Sequence, residues 1–118
     1  WRKNELLVAT WGLGMNDDFT TQTPGSIYSL NINSKKTKLV AIKGAEQLGN
    51  LDGLVQQDNT LYVSDWISGK LFKIENNKSS KVLELKPGLA DIGLSAGAEE
   101  SILFTPSMHD GKLTAWQL

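Results

Sequence analysis

An all-β fold is predicted by three features of this sequence: short apolar runs, turn residues between them, and a repeat of about forty residues. Leu61-Tyr-Val-Ser-Asp-Trp66 reads onto Leu6-Leu-Val-Ala-Thr-Trp11 and onto Ile102-Leu-Phe-Thr-Pro-Ser107. A second run follows each of them: Gly25-Ser-Ile-Tyr-Ser-Leu30, Gly69-Lys-Leu-Phe-Lys-Ile74 and Gly111-Lys-Leu-Thr-Ala-Trp116. Several short strands per unit of this length are the pattern of a β-propeller blade. Helix signals are nearly absent, since Gly44 and Gly49 enclose Gln47 and Leu48 too tightly for more than a turn.

Taken in order, the first copy (residues 1–44) predicts strands at 6–10, 26–32 and 38–42, with turn chemistry in Asn33-Ser-Lys-Lys36. The middle copy (45–87) predicts four strands, at 51–56, 60–65, 70–75 and 81–85, with Asn76-Asn-Lys-Ser79 between the last two. The last copy (88–118) predicts strands at 90–94, 102–105 and 112–117, and its Asp110-Gly111 is the sharpest turn signal. With a blade's strands lettered A to D from the channel outward, the chain carries B-C-D, then A-B-C-D, then A-B-C. This predicts a single partial β-propeller domain over 1–118, about two and a half four-stranded blades. Propellers hold about four to eight blades, so the chain is read as the C-terminal portion of a six-bladed ring. An N-terminal segment then supplies the outer strand missing from the last blade. The remaining blades come from the parent chain or from self-association.

The 118 residues suffice for one hydrophobic core, and 40% hydrophobic with 21% charged content is the balance of a folded chain. A net charge of −1 supplies no field that attracts nucleic acid or an anionic membrane. Lys35, Lys36, Lys38, Lys78 and Lys81 scatter without aromatic interleaving, which argues against a nucleic-acid partner. No apolar run approaches the roughly 20 residues of a transmembrane helix. The absence of cysteine excludes disulfides, thiolate metal sites and a Cys nucleophile. A periplasmic or secreted address is expected, and a cytoplasmic one is equally compatible with a cysteine-free chain. The chain opens on Trp1 without a charged and apolar signal segment, as expected of a processed product or of a piece of a longer chain.

Strand A lines a propeller's channel, which makes Asp52 and Asp91, near its start in successive blades, the candidate metal ligands. Two carboxylates aimed at one axis can share a hard cation such as Ca²⁺ or Mg²⁺, which takes oxygen ligands; as an alternative, both are ordinary strand-entry residues. Residues 12–24 replace the short Ile67-Ser68 turn by a long polar loop expected on the same face, and loops of this length tend to be functional. Its Asp17 and Asp18 either contact a ligand or cation or form a solvated acidic tip. Gly12-Leu-Gly14 lacks the strand-then-helix setting of a phosphate loop. Trp11 and Trp66 end strand B near this face, with Asp65 beside Trp66 as a further ligand-binding candidate. Aromatic rims suit sugars and other flat or amphipathic ligands, with blade-to-blade packing as the alternative. His109, the sole histidine, lies in the last B–C turn, either as an acid or base or as a simple exposed turn residue. No Ser-His-Asp arrangement is visible, and nucleophile options are few.

Gly25-Ser-Ile-Tyr-Ser-Leu30, Asn50-Leu-Asp-Gly-Leu54, Leu61-Tyr-Val-Ser-Asp65 and Gly69-Lys-Leu-Phe together resemble the SMP-30/gluconolactonase-like six-bladed propellers. NHL-repeat and YWTD-type propellers use similar phrases. The resemblance extends over almost the whole chain, because Ala90-Asp91 followed by residues 102–105 continues it. It implies a divalent cation, Ca²⁺ or Zn²⁺, held in the channel by carboxylate and amide side chains and activating water for lactone hydrolysis. The family's ligand positions fall on Asp52 and, with a shifted glycine, on Asp91. Its early glutamate has no counterpart here, and the customary Pro before Asp is Leu51 in one blade and Ala90 in the other. Two functions follow as expectations. One is a metal-dependent hydrolase of a lactone or ester, with residues 12–24 closing over the substrate. The other is a non-catalytic propeller that binds a small ligand or a protein through its loop face.

Overall fold

Short alternating runs become strands throughout the computed structural model, which describes residues 3–97 and 100–118. In chain order they are β1 (Glu5–Ala9), β2 (Gly12–Met15), β3 (Thr21–Pro24), β4 (Ile27–Asn31), β5 (Thr37–Leu39), β6 (Leu51–Gln57), β7 (Thr60–Asp65), β8 (Lys70–Glu75), β9 (Lys78–Glu84), β10 (Gly93–Ala96), β11 (Ser101–Ser107) and β12 (Lys112–Gln117). Ala45–Gln47 adds one 3-10 turn. The chain is all-β, with a first sheet ordered β1-β4-β5, a middle sheet β6-β7-β8-β9, a third sheet β10-β11-β12 and a ribbon β2-β3. Neighbouring strands are antiparallel throughout, and no sheet closes on itself among the described residues. No helix of the described residues is long and apolar enough to cross a membrane.

Turn chemistry sets the strand ends. Asn76 and Asn77 both adopt positive φ, 51° and 58°, and form a two-residue turn between Glu75 and Lys78. Asparagine tolerates this left-handed backbone better than most residues. The turn is therefore tighter than Asn76-Asn-Lys-Ser79, and β9 starts at Lys78 rather than at residue 81. The strand expected at 90–94 runs instead from Gly93 to Ala96, and the one at 38–42 shortens to Thr37–Leu39.

The middle sheet is packed on both faces. Ile27, Leu48, Leu51, Val63, Phe72 and Ile74 form one buried cluster, with Leu7, Ala9 and Val40 of the first sheet's side against it. Tyr62, Leu71, Leu89, Ile92 and Leu103 form the second, closed by Leu94 and Trp116 of the third sheet. Strand alternation explains the division, since Leu61 and Val63 point to one face of β7 and Tyr62 to the other. Burial of each such side chain contributes roughly 1.5–3 kcal/mol.

Polar links fasten the sheets where they meet. A β-bulge between Leu51 and Leu54 frees the Gly53 N–H, which donates to Ser64 Oγ at 2.8 Å. Ser64, fully buried, donates in turn to Ala90 O at 3.1 Å, so one hydroxyl completes the bulge and ties the middle sheet to the third. On the other side, Gly25 N–H donates to Gly49 O at 2.7 Å. Asn50, also buried, donates through Nδ2 to Trp11 O at 3.0 Å and to Thr21 Oγ1 at 2.9 Å.

Residues 12–24 are not a loop. β2 and β3 continue the β1–β4 ladder in one register, from Glu5 opposite Asn31 through Ala9 opposite Ile27 and Gly12 opposite Pro24 to Met15 opposite Thr21. Asn16 N–H donates to Thr20 O at the tip. A straight ribbon would carry that tip roughly 17 Å beyond Trp11, at about 3.3 Å per residue. Instead the Trp11 indole N–H donates to Phe19 O at 2.8 Å, so the ribbon curls back over Trp11. Gly12 and Gly14, with φ of 123° and 68°, supply the backbone freedom for that curl.

Candidate functional site

The ends of the three sheets bring the aromatic candidates into one row. Trp11 follows β1, Trp66 follows β7, and His109 lies in the turn between β11 and β12. The Trp11 and Trp66 ring centroids are 5.9 Å apart with planes tilted by 46°, and Trp66 and His109 are 5.5 Å apart at 56°. These separations fall in the range of favourable aromatic pairs. Both tryptophans are half-buried, whereas His109 is exposed.

Neither indole N–H in the row is free. Trp11 donates to Phe19 O, and Trp66 donates to Met108 Sδ at 3.2 Å, a weak acceptor. The row therefore offers ring surface rather than indole donors. Leu13, Met15 and Phe19 of the curled ribbon and Met108 beside His109 add exposed apolar area, each at least 57% exposed.

Asp65 belongs to the scaffold under this row. Its Oδ1 accepts from the backbone N–H of Asn50, Ile67 and Ser68 at 3.2, 3.1 and 3.3 Å, and its Oδ2 accepts from Ser68 Oγ at 2.5 Å. The residue is only 4% exposed. A carboxylate so occupied holds the turn that carries Trp66 and has no free face for a ligand, contrary to the expectation for Asp65. Asp18 is engaged similarly at the ribbon tip, where Thr20 Oγ1 and Thr20 N–H donate to its Oδ1 at 2.6 and 3.0 Å. The Thr20 hydroxyl, then the Thr20 backbone N–H, holds the Asp18 carboxyl below its usual range. Asp17 is exposed beside it.

Register corrects the expected equivalence of Asp52 and Asp91. Ser107 pairs with Lys112 as Asp65 pairs with Lys70, so Met108, not Ser107, stands in the place of Trp66. Met108 N–H donates to Gly88 O as Trp66 N–H donates to Asn50 O. Leu89 bridges Ser107 as Leu51 pairs with Asp65. The counterpart of Asp52 is therefore Ala90, and that of Asp91 is Gly53. Residues 52 and 91 are nonetheless close in the packing of the chain, because the β6 backbone at Gly53 lies against residues 91 and 92. A Cβ on Gly53 would fall 2.4 Å from Ile92 N and 2.9 Å from Asp91 Cα. Partial burial, then the charge of Asp91, pushes the Asp52 carboxyl above its usual range. Among the described residues no group of three or more His, Cys, Asp and Glu side chains comes together.

The raised Asp52 gives a pH prediction. The folded state binds this proton more tightly than the unfolded chain, so stability falls as pH rises from the ordinary carboxylate range through the raised value. Asp52→Asn is expected to unfold at higher urea than the wild type at neutral pH. The difference should vanish in acid, and a difference independent of pH would contradict the assignment.

No residue pattern in the sequence singles out Asn50, Ser64 or Met108. Asn50 opens the run Asn50-Leu-Asp-Gly-Leu54, but nothing in a lone amide tells that it will bridge two sheets. Searches of protein-family models and of curated proteins find no match to this chain.

Proposed function

We propose that the chain is part of a β-propeller and serves as a binding module, taking a flat or amphipathic ligand such as a short neutral carbohydrate on the Trp11–Trp66–His109 row. The observation that carries this reading is the continuity of three rings across the ends of three sheets, at 5.9 and 5.5 Å. The propeller reading is supported by three successive antiparallel meanders whose middle member is apolar on both faces. Indoles whose N–H groups are already paired recognise a ligand by stacking on C–H and ring surface. Calorimetric titration with short neutral oligosaccharides tests it. Trp66→Ala should weaken binding about 30-fold, the effect of losing a central aromatic anchor worth about 2 kcal/mol. Equal affinity in the variant would remove the row from the site.

A second reading, a metal-dependent lactonase-like hydrolase, is favoured by the approach of residue 91 to the β6 backbone beside Asp52. A divalent cation between the two carboxylates would offset the charge of Asp91, which adds to partial burial in raising the Asp52 carboxyl. Calorimetry with Ca²⁺ and Zn²⁺ decides it: heat that Asp52→Ala abolishes supports the reading, and no heat with either ion ends it.

A further inference from the structure

Among the described residues, the two outward sheet faces carry apolar side chains. On the first sheet, Leu6, Val8, Tyr28 and Leu39 are 39%, 37%, 36% and 53% exposed. Pairing sets Leu6 beside Leu30 and Val8 beside Tyr28 on this face, opposite the side on which Leu7 and Ala9 pack against the middle sheet. On the third sheet, alternation turns Ile102, Phe104, Pro106 and Leu113 away from Leu103 and Trp116, and Leu113 is 67% exposed. Such faces are unusual for a free surface.

The repeat states what each face fits. Leu6 opposite Leu30 and Val8 opposite Tyr28 reproduce Leu61 opposite Ile74 and Val63 opposite Phe72. Those four middle-sheet residues are the face that packs on the first sheet. On the third sheet, Phe104 and Leu113 stand where Tyr62 and Leu71 stand in the middle sheet, the pair that packs on the third. One end thus presents the leading face of an interface already used twice inside the chain, and the other end presents its trailing face.

We propose that a second copy of this chain docks head to tail, the outward face of its third sheet seating on the outward face of the first. The contact continues the internal sheet-to-sheet interfaces and is heterologous, joining two different patches. The inference rests on the sheet repeat and its register and not on the ligand reading, so either can fail alone.

Light scattering with two variants tests the geometry. Tyr28→Lys blocks the first-sheet face and Leu113→Lys the third-sheet face. Both positions are exposed, and circular dichroism checks that each variant folds; Leu6→Lys and Phe104→Lys are the alternates. The wild type should associate beyond its 12.9 kDa protomer. Each variant alone should be monomeric, and an equimolar mixture should recover a dimer through its one intact pair of faces. A monomeric wild type would overturn the proposal and leave both faces to another polypeptide. A variant that still dimerises alone, or two folded variants that do not dimerise when mixed, would overturn it equally.

Discussion

Gly25→Ala should destabilise the chain by at least about 3 kcal/mol, the scale of an overpacked site whose backbone must move. Gly25 sits at the joint between β3 and β4, buried between the first and middle sheets. A Cβ there would fall 1.9 Å from Thr10 O and 2.9 Å from Gly49 O, both backbone atoms that no rotamer change relieves. Moving them breaks the Gly25–Gly49 bond at 2.7 Å and disturbs Thr10, which exchanges side-chain and backbone bonds with Ser26 at 3.0 Å. The loss should appear as a lower urea midpoint with an unchanged slope. A variant within about 1 kcal/mol of the wild type would mean that this joint is looser than described.

Asp65→Ala should cost a similar amount by a different mechanism. Hydrogen bonds to a charged group contribute roughly 1.5–3 kcal/mol, and leaving buried donors unpaired adds to the loss. The substitution strands the Asn50, Ile67 and Ser68 N–H groups and the Ser68 hydroxyl together. A loss of at least about 3 kcal/mol is expected. Gly49 is matched to this carboxylate, since a Cβ on it would fall 2.1 Å from Asp65 Oδ2. Because Asp65 holds the turn bearing Trp66, the variant should also lose the Trp66–His109 contact. Urea unfolding together with Trp fluorescence checks both parts, and a fully stable Asp65→Ala chain would contradict the scaffold role. In the third sheet the corresponding residue is Ser107, whose buried Oγ finds no hydrogen-bond partner among the described residues.

The strand pattern was legible wherever apolar and polar residues alternate. Leu6 to Trp11 and Leu61 to Trp66 align without error because both runs close on tryptophan, and their cross-strand pairs match. In the third copy no tryptophan closes the run after the apolar Ile102, Leu103 and Phe104, so nothing marks which residue faces the middle sheet, and the alignment slips by one. Asp91 and Asp52 each stand second in their expected strands, whereas hydrogen bonding matches Asp91 to Gly53. The ribbon of residues 12–24 was hidden by its polar threonines and by glycines that read as loop. For the site, Trp11, Trp66 and His109 were placed on one face by the repeat, but their contact depends on sheet twist and spacing that no residue pattern encodes. Asp65 carried no mark to separate a turn-holding carboxylate from a ligand-binding one.

The most direct test of the ligand row follows the imidazole resonances of His109, the sole histidine, by NMR. Ring current from Trp66 at 5.5 Å should displace them from random-coil positions, and Trp66→Ala should return them toward those positions. Short neutral oligosaccharides should then shift them saturably in the wild type, with affinity at least about tenfold weaker in the variant. Imidazole signals at random-coil positions in the wild type, or a saturable shift of equal affinity in Trp66→Ala, would contradict the account.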